Sequence, residues 1–121
     1  MTVVIAEDER IIALGLSMML KRLGHETREF CTSGECCVES VERERPDVVF
    51  MDIMMDGPMD GIEAALIVHS RFGTPVIFTT AYDDPATRER AAAVSPMVFL
   101  TKPVSSDMLS LALKGIESSP G

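Results

Sequence analysis

Residues 46–61 read PDVVFMDIMMDGPMDG, and the reading of this stretch decides the fold. Pro46 cannot continue a helix. Val48 to Met51 form an unbroken apolar run, the pattern of a strand covered on both faces. Asp52 ends the run with a carboxylate. From Asp56 to Gly61 the residues are those of a loop. A strand hidden on both sides needs helices above and below it, so helical patterns are expected on either flank.

Both flanks carry them. Upstream, Ser33 caps a helix running to Glu44. Downstream, a helix runs from about Ile62 to Phe72 and closes at Gly73. Val3 to Ala6 is a β-branched strand, followed by apolar residues at helical spacing from Glu9 to Leu23: Ile12, Leu16, Met19, Leu20 and Leu23. Gly24 stops that helix. Thr27 to Phe30 is a short strand, Pro75 to Thr79 a fourth, and Met97 to Leu100 a fifth. Asp84 and Pro85 read as cap and first residue of a helix to about Val94. Ser105 or Ser106 caps the last helix, with Met108, Leu109, Ala112, Leu113 and Ile116 as its apolar face.

Five βα units in 121 residues fill one domain, with a core over about residues 3–116 and a tail or linker over 117–121. The expected fold is α/β: a doubly wound, five-stranded parallel sheet with helices on both faces. In the flavodoxin-like strand order 2-1-3-4-5, strands one and three meet at the switch point where such sheets bind ligands.

Composition narrows the function. At 46% hydrophobic and 25% charged, the chain is an ordinary globular one. Nineteen Asp and Glu against eleven Lys and Arg give a net charge of -8, which opposes binding to a phosphate backbone. No direct nucleic-acid contact is expected within these residues. Neither a spanning segment nor a signal peptide is legible, so a cytoplasmic protein without membrane contact is expected. Cys31, Cys36 and Cys37 include no CxxC pair, and His25 and His69 are far apart, so reduced thiols, buried or half-buried, are favoured over a zinc site.

The chemistry collects at the strand ends. Glu7 and Asp8 follow strand one, Asp52 ends strand three, Thr80 ends strand four, and Lys102 follows strand five. Three converging carboxylates repel one another unless their pKa values rise or a divalent cation joins them. Hard oxygen ligands favour Mg²⁺. Lys102 suits one phosphoryl oxygen and Thr80 another. A carboxylate beside a metal is a competent nucleophile toward phosphorus, which points to an aspartyl phosphate on Asp52. A receiver-like interaction module and a Mg²⁺-dependent phosphatase are the other classes. An intact Asp52, Thr80 and Lys102 set disfavours the first, and the lack of room for a cap disfavours the second.

The runs IleAlaGluAspGlu, ProAspValValPheMetAspIleMetMet, MetAspGlyIleGluAla, PheThrThrAlaTyr and PheLeuThrLysPro, in that order, resemble the receiver domain of bacterial two-component response regulators. The resemblance covers Val3 to about Ile116. It implies that Asp52 is the phosphoacceptor, with Thr80 and Lys102 holding the phosphoryl group. It implies that Glu7, Asp8, Asp52 and the backbone carbonyl of Met54 hold Mg²⁺. Thr80 and Phe99 become the switch pair, and the peptide before Pro103 is cis. The implied partner is a sensor histidine kinase or phosphotransfer protein. An output domain or a second copy would read the face made by the fourth helix, fifth strand and fifth helix. Such a chain is a signalling switch that assists its own phosphorylation and dephosphorylation, and not an enzyme.

Three departures and biases carry further expectations. The loop after Asp52 is one residue longer than the commonest form, with Asp56 in place of a proline and Pro58 displaced; Asp56 is expected to be solvated. Met54 and Tyr82 are bulky and neither activates water, so slow loss of the phosphoryl group is expected. Among nine methionines, Met18, Met19, Met97 and Met108 are expected to fill the core, while Met54, Met55 and Met59 border the site.

Overall fold

A computed structural model describes residues 1–55, 57–81, 84–94 and 97–117. Asp56, Tyr82 and residues 118–121 lie outside the described residues, as does the side chain of Met97. The elements alternate without exception: β1 (Thr2–Ala6), α1 (Arg10–Arg22), β2 (Glu26–Cys31), α2 (Gly34–Glu44) and β3 (Val48–Asp52). α3 (Gly61–Phe72), β4 (Val76–Thr80), α4 (Pro85–Ala91), β5 (Met97–Thr101) and α5 (Ser106–Glu117) complete the chain. The strands form one parallel sheet in the order β2-β1-β3-β4-β5.

Burial follows strand position. Every residue of β3 and of β4 is buried, because central strands meet helices on both faces. β2, at the edge, alternates instead, exposing Glu26, Arg28 and Phe30. Alternation along the strands divides the apolar residues into two layers. Val3, Ile5, Val48, Phe50 and Ile77 pack with Leu16, Leu20, Leu109 and Leu113 on the α1 and α5 side. Val4, Ala6, Val49, Met51, Val76 and Phe78 pack with Val41, Ile62, Ala65 and Val68 on the α2 and α3 side.

The caps act locally. The Ser33 hydroxyl accepts from the Cys36 amide at 3.2 Å at the start of α2. Asp84 accepts from the Thr87 amide at 2.8 Å, with Pro85 as the first residue of α4. For α5, Ser105 takes the capping role, its hydroxyl accepting from the Met108 amide at 3.2 Å.

Two local expectations are corrected. In α1 the buried positions are Ala13, Leu16 and Leu20, not the full set Ile12 to Leu23. Ile12 and Leu23 are exposed and Met18 is 58% exposed, so Met18 does not fill the core. The helix is rotated so that the small side chain of Ala13 meets the sheet, and Ile12 turns toward the space beside Lys102, Pro103 and Val104. The second correction is that α4 ends at Ala91, not at Val94. There the amides of Ala93 and Val94 bond carbonyls three residues back, so the last turn tightens out of α geometry.

Candidate functional site

The same alternation that sorts the core delivers the site. Asp52 continues the Val48–Phe50 side of β3, Glu7 continues the Val3–Ile5 side of β1, and Lys102 follows the Val98–Leu100 side of β5. Because β1 and β3 are neighbours in the sheet, their carboxyl ends bring Glu7, Asp8 and Asp52 together. One carboxylate oxygen of each lies within 4.8 Å of the other two. Among the described residues this is the one cluster of three or more candidate metal-ligating acids, histidines or cysteines.

Glu7 and Asp52 are both 4% exposed, whereas Asp8 is half-buried. Lys102 reaches across from β5, its Nζ lying 2.7 Å from Glu7 Oε2 and 3.5 Å from Asp52 Oδ2. Two backbone amides brace the acids: that of Met54 donates to Asp52 Oδ1 at 3.2 Å, and that of Glu9 donates to Glu7 Oε1 at 3.2 Å. Thr80 is fully buried at the end of β4, and its carbonyl accepts from the Lys102 amide at 2.7 Å. The Lys102–Pro103 peptide is cis. Phe99 is half-buried against the α2 and α3 layer. Met54 is exposed, and Met55 and Met59 pack partly against that same layer.

Burial and the charge of Glu7 push the Asp52 carboxyl up to about 7, against the opposing pull of Lys102 and the Met54 amide. Burial alone would lower Lys102, but Glu7 and Asp52 outweigh it and hold the ammonium above its usual range. One cation thus faces three carboxyl groups in a nearly dry site. The donor set is all oxygen and carries an excess of negative charge, which suits a hard divalent cation such as Mg²⁺.

A pH dependence follows for the metal-free protein. A carboxyl whose pKa is raised by folding keeps its proton longer in the folded state. Stability therefore falls as pH rises from about 4, where the unfolded carboxyl ionises, through about 7. His25, lowered by burial and the terminal ammonium, acts in the opposite direction below its ordinary value of 6.5. The Asp52 contribution is isolated by comparison with Asp52→Asn. In chelator, the variant's advantage in urea denaturation is expected to grow from pH 5 to pH 8, reaching about 2–4 kcal/mol. An advantage independent of pH would refute this.

Several features escaped the sequence reading. Lys102 pairs first with Glu7, a contact across 95 residues that no local signal announces. Asp60 and Glu63 form a reciprocal capping box at the start of α3, for which the D-x-x-E spacing was a usable signal. Gly61 lies hard against the end of β3: a Cβ there would stand 2.1 Å from the Asp52 carbonyl oxygen.

Residues 3–114 match the response regulator receiver domain family. The chain is 38% identical over 108 residues to the transcriptional regulatory protein PdtaR of Mycobacterium tuberculosis H37Rv, covering 88% of this chain and 52% of that protein. It is 32% identical to the heme response regulator HssR of Staphylococcus epidermidis, covering 93% of this chain and 49% of the relative. The chain thus spans about half the length of these curated relatives. Among solved structures, the signal receiver domain of a modulated diguanylate cyclase from Desulfovibrio desulfuricans G20 superposes with a TM-score of 0.89 at 35% identity, covering 95% of this chain and 91% of that one. The receiver domain of NarL from Mycobacterium tuberculosis gives 0.88 at 26% identity, covering 98% and 97%. With its strand order, its acidic cluster and its facing lysine in place, the chain belongs to the response regulator receiver domains of two-component signalling.

Proposed function

We propose that this chain is a phosphoacceptor switch, taking a phosphoryl group from a histidine kinase or phosphotransfer protein onto Asp52. The observation that carries the reading is a buried carboxylate at the end of a central strand, beside two further acids and one lysine. Glu7, Asp8, Asp52 and the Met54 carbonyl would hold Mg²⁺, which when bound supplies positive charge against the phosphoryl oxygens.

Asp52 attacks phosphorus in line. An O–P bond forms at the carboxylate, and the P–N bond to the donor imidazole breaks, its nitrogen taking up a proton. Positioning and charge neutralisation lower the barrier. Lys102, held between Glu7 and Asp52, is poised to exchange one anionic partner for a phosphoryl oxygen. Thr80 takes a second oxygen, and Phe99 fills the space its movement leaves. The surface of α4, β5 and α5 then changes, and a cytoplasmic output domain or a second copy reads it. Among the described residues no helix is long and apolar enough to cross a membrane.

The test is direct. Incubation with acetyl phosphate and Mg²⁺ is expected to add the mass of one phosphoryl group, with a lifetime of minutes to hours because exposed Met54 neither orients nor activates water. Sustained hydrolysis of small phosphate esters would favour a phosphatase instead, and a lifetime of seconds would contradict the account of Met54.

A further inference from the structure

α4 is the helix least secured by the core: among its described residues only Ala91 is buried. Two arginines on it reach parts of the chain that matter to the site. The Arg90 guanidinium lies 2.6 Å from Asp60 Oδ2, across 30 residues. The other oxygen of that carboxylate, Oδ1, accepts from the Glu63 amide at 2.9 Å and so caps α3. One turn lower in this chain of contacts, the Gly61 amide donates to the Ile53 carbonyl at 3.0 Å, directly after Asp52. Asp60 is therefore shared between α4 and the base of the phosphoacceptor loop. Burial would raise its carboxyl, but the Glu63 amide and Arg90 hold it below the usual range. Meanwhile Arg88 stands over the Phe99 ring, 4.5 Å from its centroid.

We propose that Arg88 and Arg90 are positioning residues that clamp α4 to its neighbours, Arg90 to the cap of α3 through Asp60 and Arg88 to β5 through the Phe99 ring. The clamp gives α4 a second route to the phosphoacceptor, through the cap of α3, besides the route through Thr80 and the aromatic ring. Its release on phosphorylation rests on the assignment of Asp52 above, whereas the clamp itself does not. An ion pair this exposed holds weakly, which suits a contact that must open.

Hydrogen exchange on the full chain tests it. Asp60→Asn retains a capping oxygen but removes the charge that Arg90 needs. In the unphosphorylated protein, Asp60→Asn and Arg90→Ala are each expected to speed exchange of the α4 amides about two- to five-fold, with the double variant no faster than either alone. Unchanged exchange, or effects that add in the double variant, would overturn the clamp. After acetyl phosphate and Mg²⁺, with the mass gain verified, α4 exchange is expected to rise in the wild type and to rise less in the variants. An equal rise would overturn the second route. Absence of the mass gain would defeat the assignment of Asp52 and leave the unphosphorylated comparison to decide the clamp.

Discussion

Asp52→Asn is expected to abolish phosphoryl uptake from acetyl phosphate, lowering the rate by at least about a thousandfold. The asparagine side chain has nearly the same shape and can still accept the Met54 amide, which lies 3.2 Å from Asp52 Oδ1. What it lacks is a nucleophilic oxygen with negative charge. The variant is also expected to fold at least as well as the parent near neutral pH. Asp52 is 4% exposed and sits beside Glu7, so ionising it costs stability that a neutral amide does not. The two results together are diagnostic, because a residue kept for structure alone would lose stability on substitution. The measurement pairs intact mass after acetyl phosphate with urea denaturation in chelator. Undiminished phosphorylation would sink the assignment of Asp52.

Gly61→Ala is expected to be the most damaging small substitution, costing about 3 kcal/mol or more and depressing phosphorylation with it. The added Cβ would stand 2.1 Å from the Asp52 carbonyl oxygen, 2.8 Å from Ile53 Cα and 2.9 Å from the Asp52 carbonyl carbon. All three are backbone atoms of a buried strand end, so no flexible side chain can yield. Either α3 retreats, breaking the Gly61–Ile53 hydrogen bond, or Asp52 is pushed out of line with Glu7 and Lys102. Gly15→Ala supplies the contrast. Gly15 lies within α1 with open space around its missing Cβ, so alanine there is expected to stabilise by about 0.5–1 kcal/mol. Denaturation midpoints of the two variants should move in opposite directions. A neutral Gly61→Ala would mean that α3 is seated more loosely than its contacts imply.

Much of this architecture was legible in residue order. ValValPheMet before Asp52 read as a central strand because a strand covered twice has no polar face to show. Ser33, Asp84 and Pro85 marked helix starts because capping is chemistry within a few residues of the chain. β4 ends at Thr80, as expected of the residue that closes it, and β5 reached one residue further than expected, to Thr101. The two threonines are paired in register, and that pairing is a property of two strands and not of either one. α1 was less legible. Its apolar residues cover a wide arc, and the sheet accepted the edge centred on Ala13, Leu16 and Leu20, leaving Met18 in solvent. Periodicity tells that a helix has an apolar side, but not which edge of that side meets the sheet.

By itself, then, the sequence determined the alternation of five strands and five helices, the family, and the set of polar residues that close the strands. Each of these depends on interactions over a few positions, or on motifs in a fixed order. Only the tertiary structure decided what those polar residues do to one another. Lys102 meets Glu7 across 95 residues and Arg90 meets Asp60 across 30, and both distances follow from strand order and helix placement. The elevated Asp52 carboxyl depends on the same convergence, since an isolated aspartate in water titrates near its ordinary value. Local patterning names the groups at the carboxyl end of the sheet. Folding sets their distances and shields them from water, and those two changes turn three acids and a lysine into the site proposed above to take a phosphoryl group.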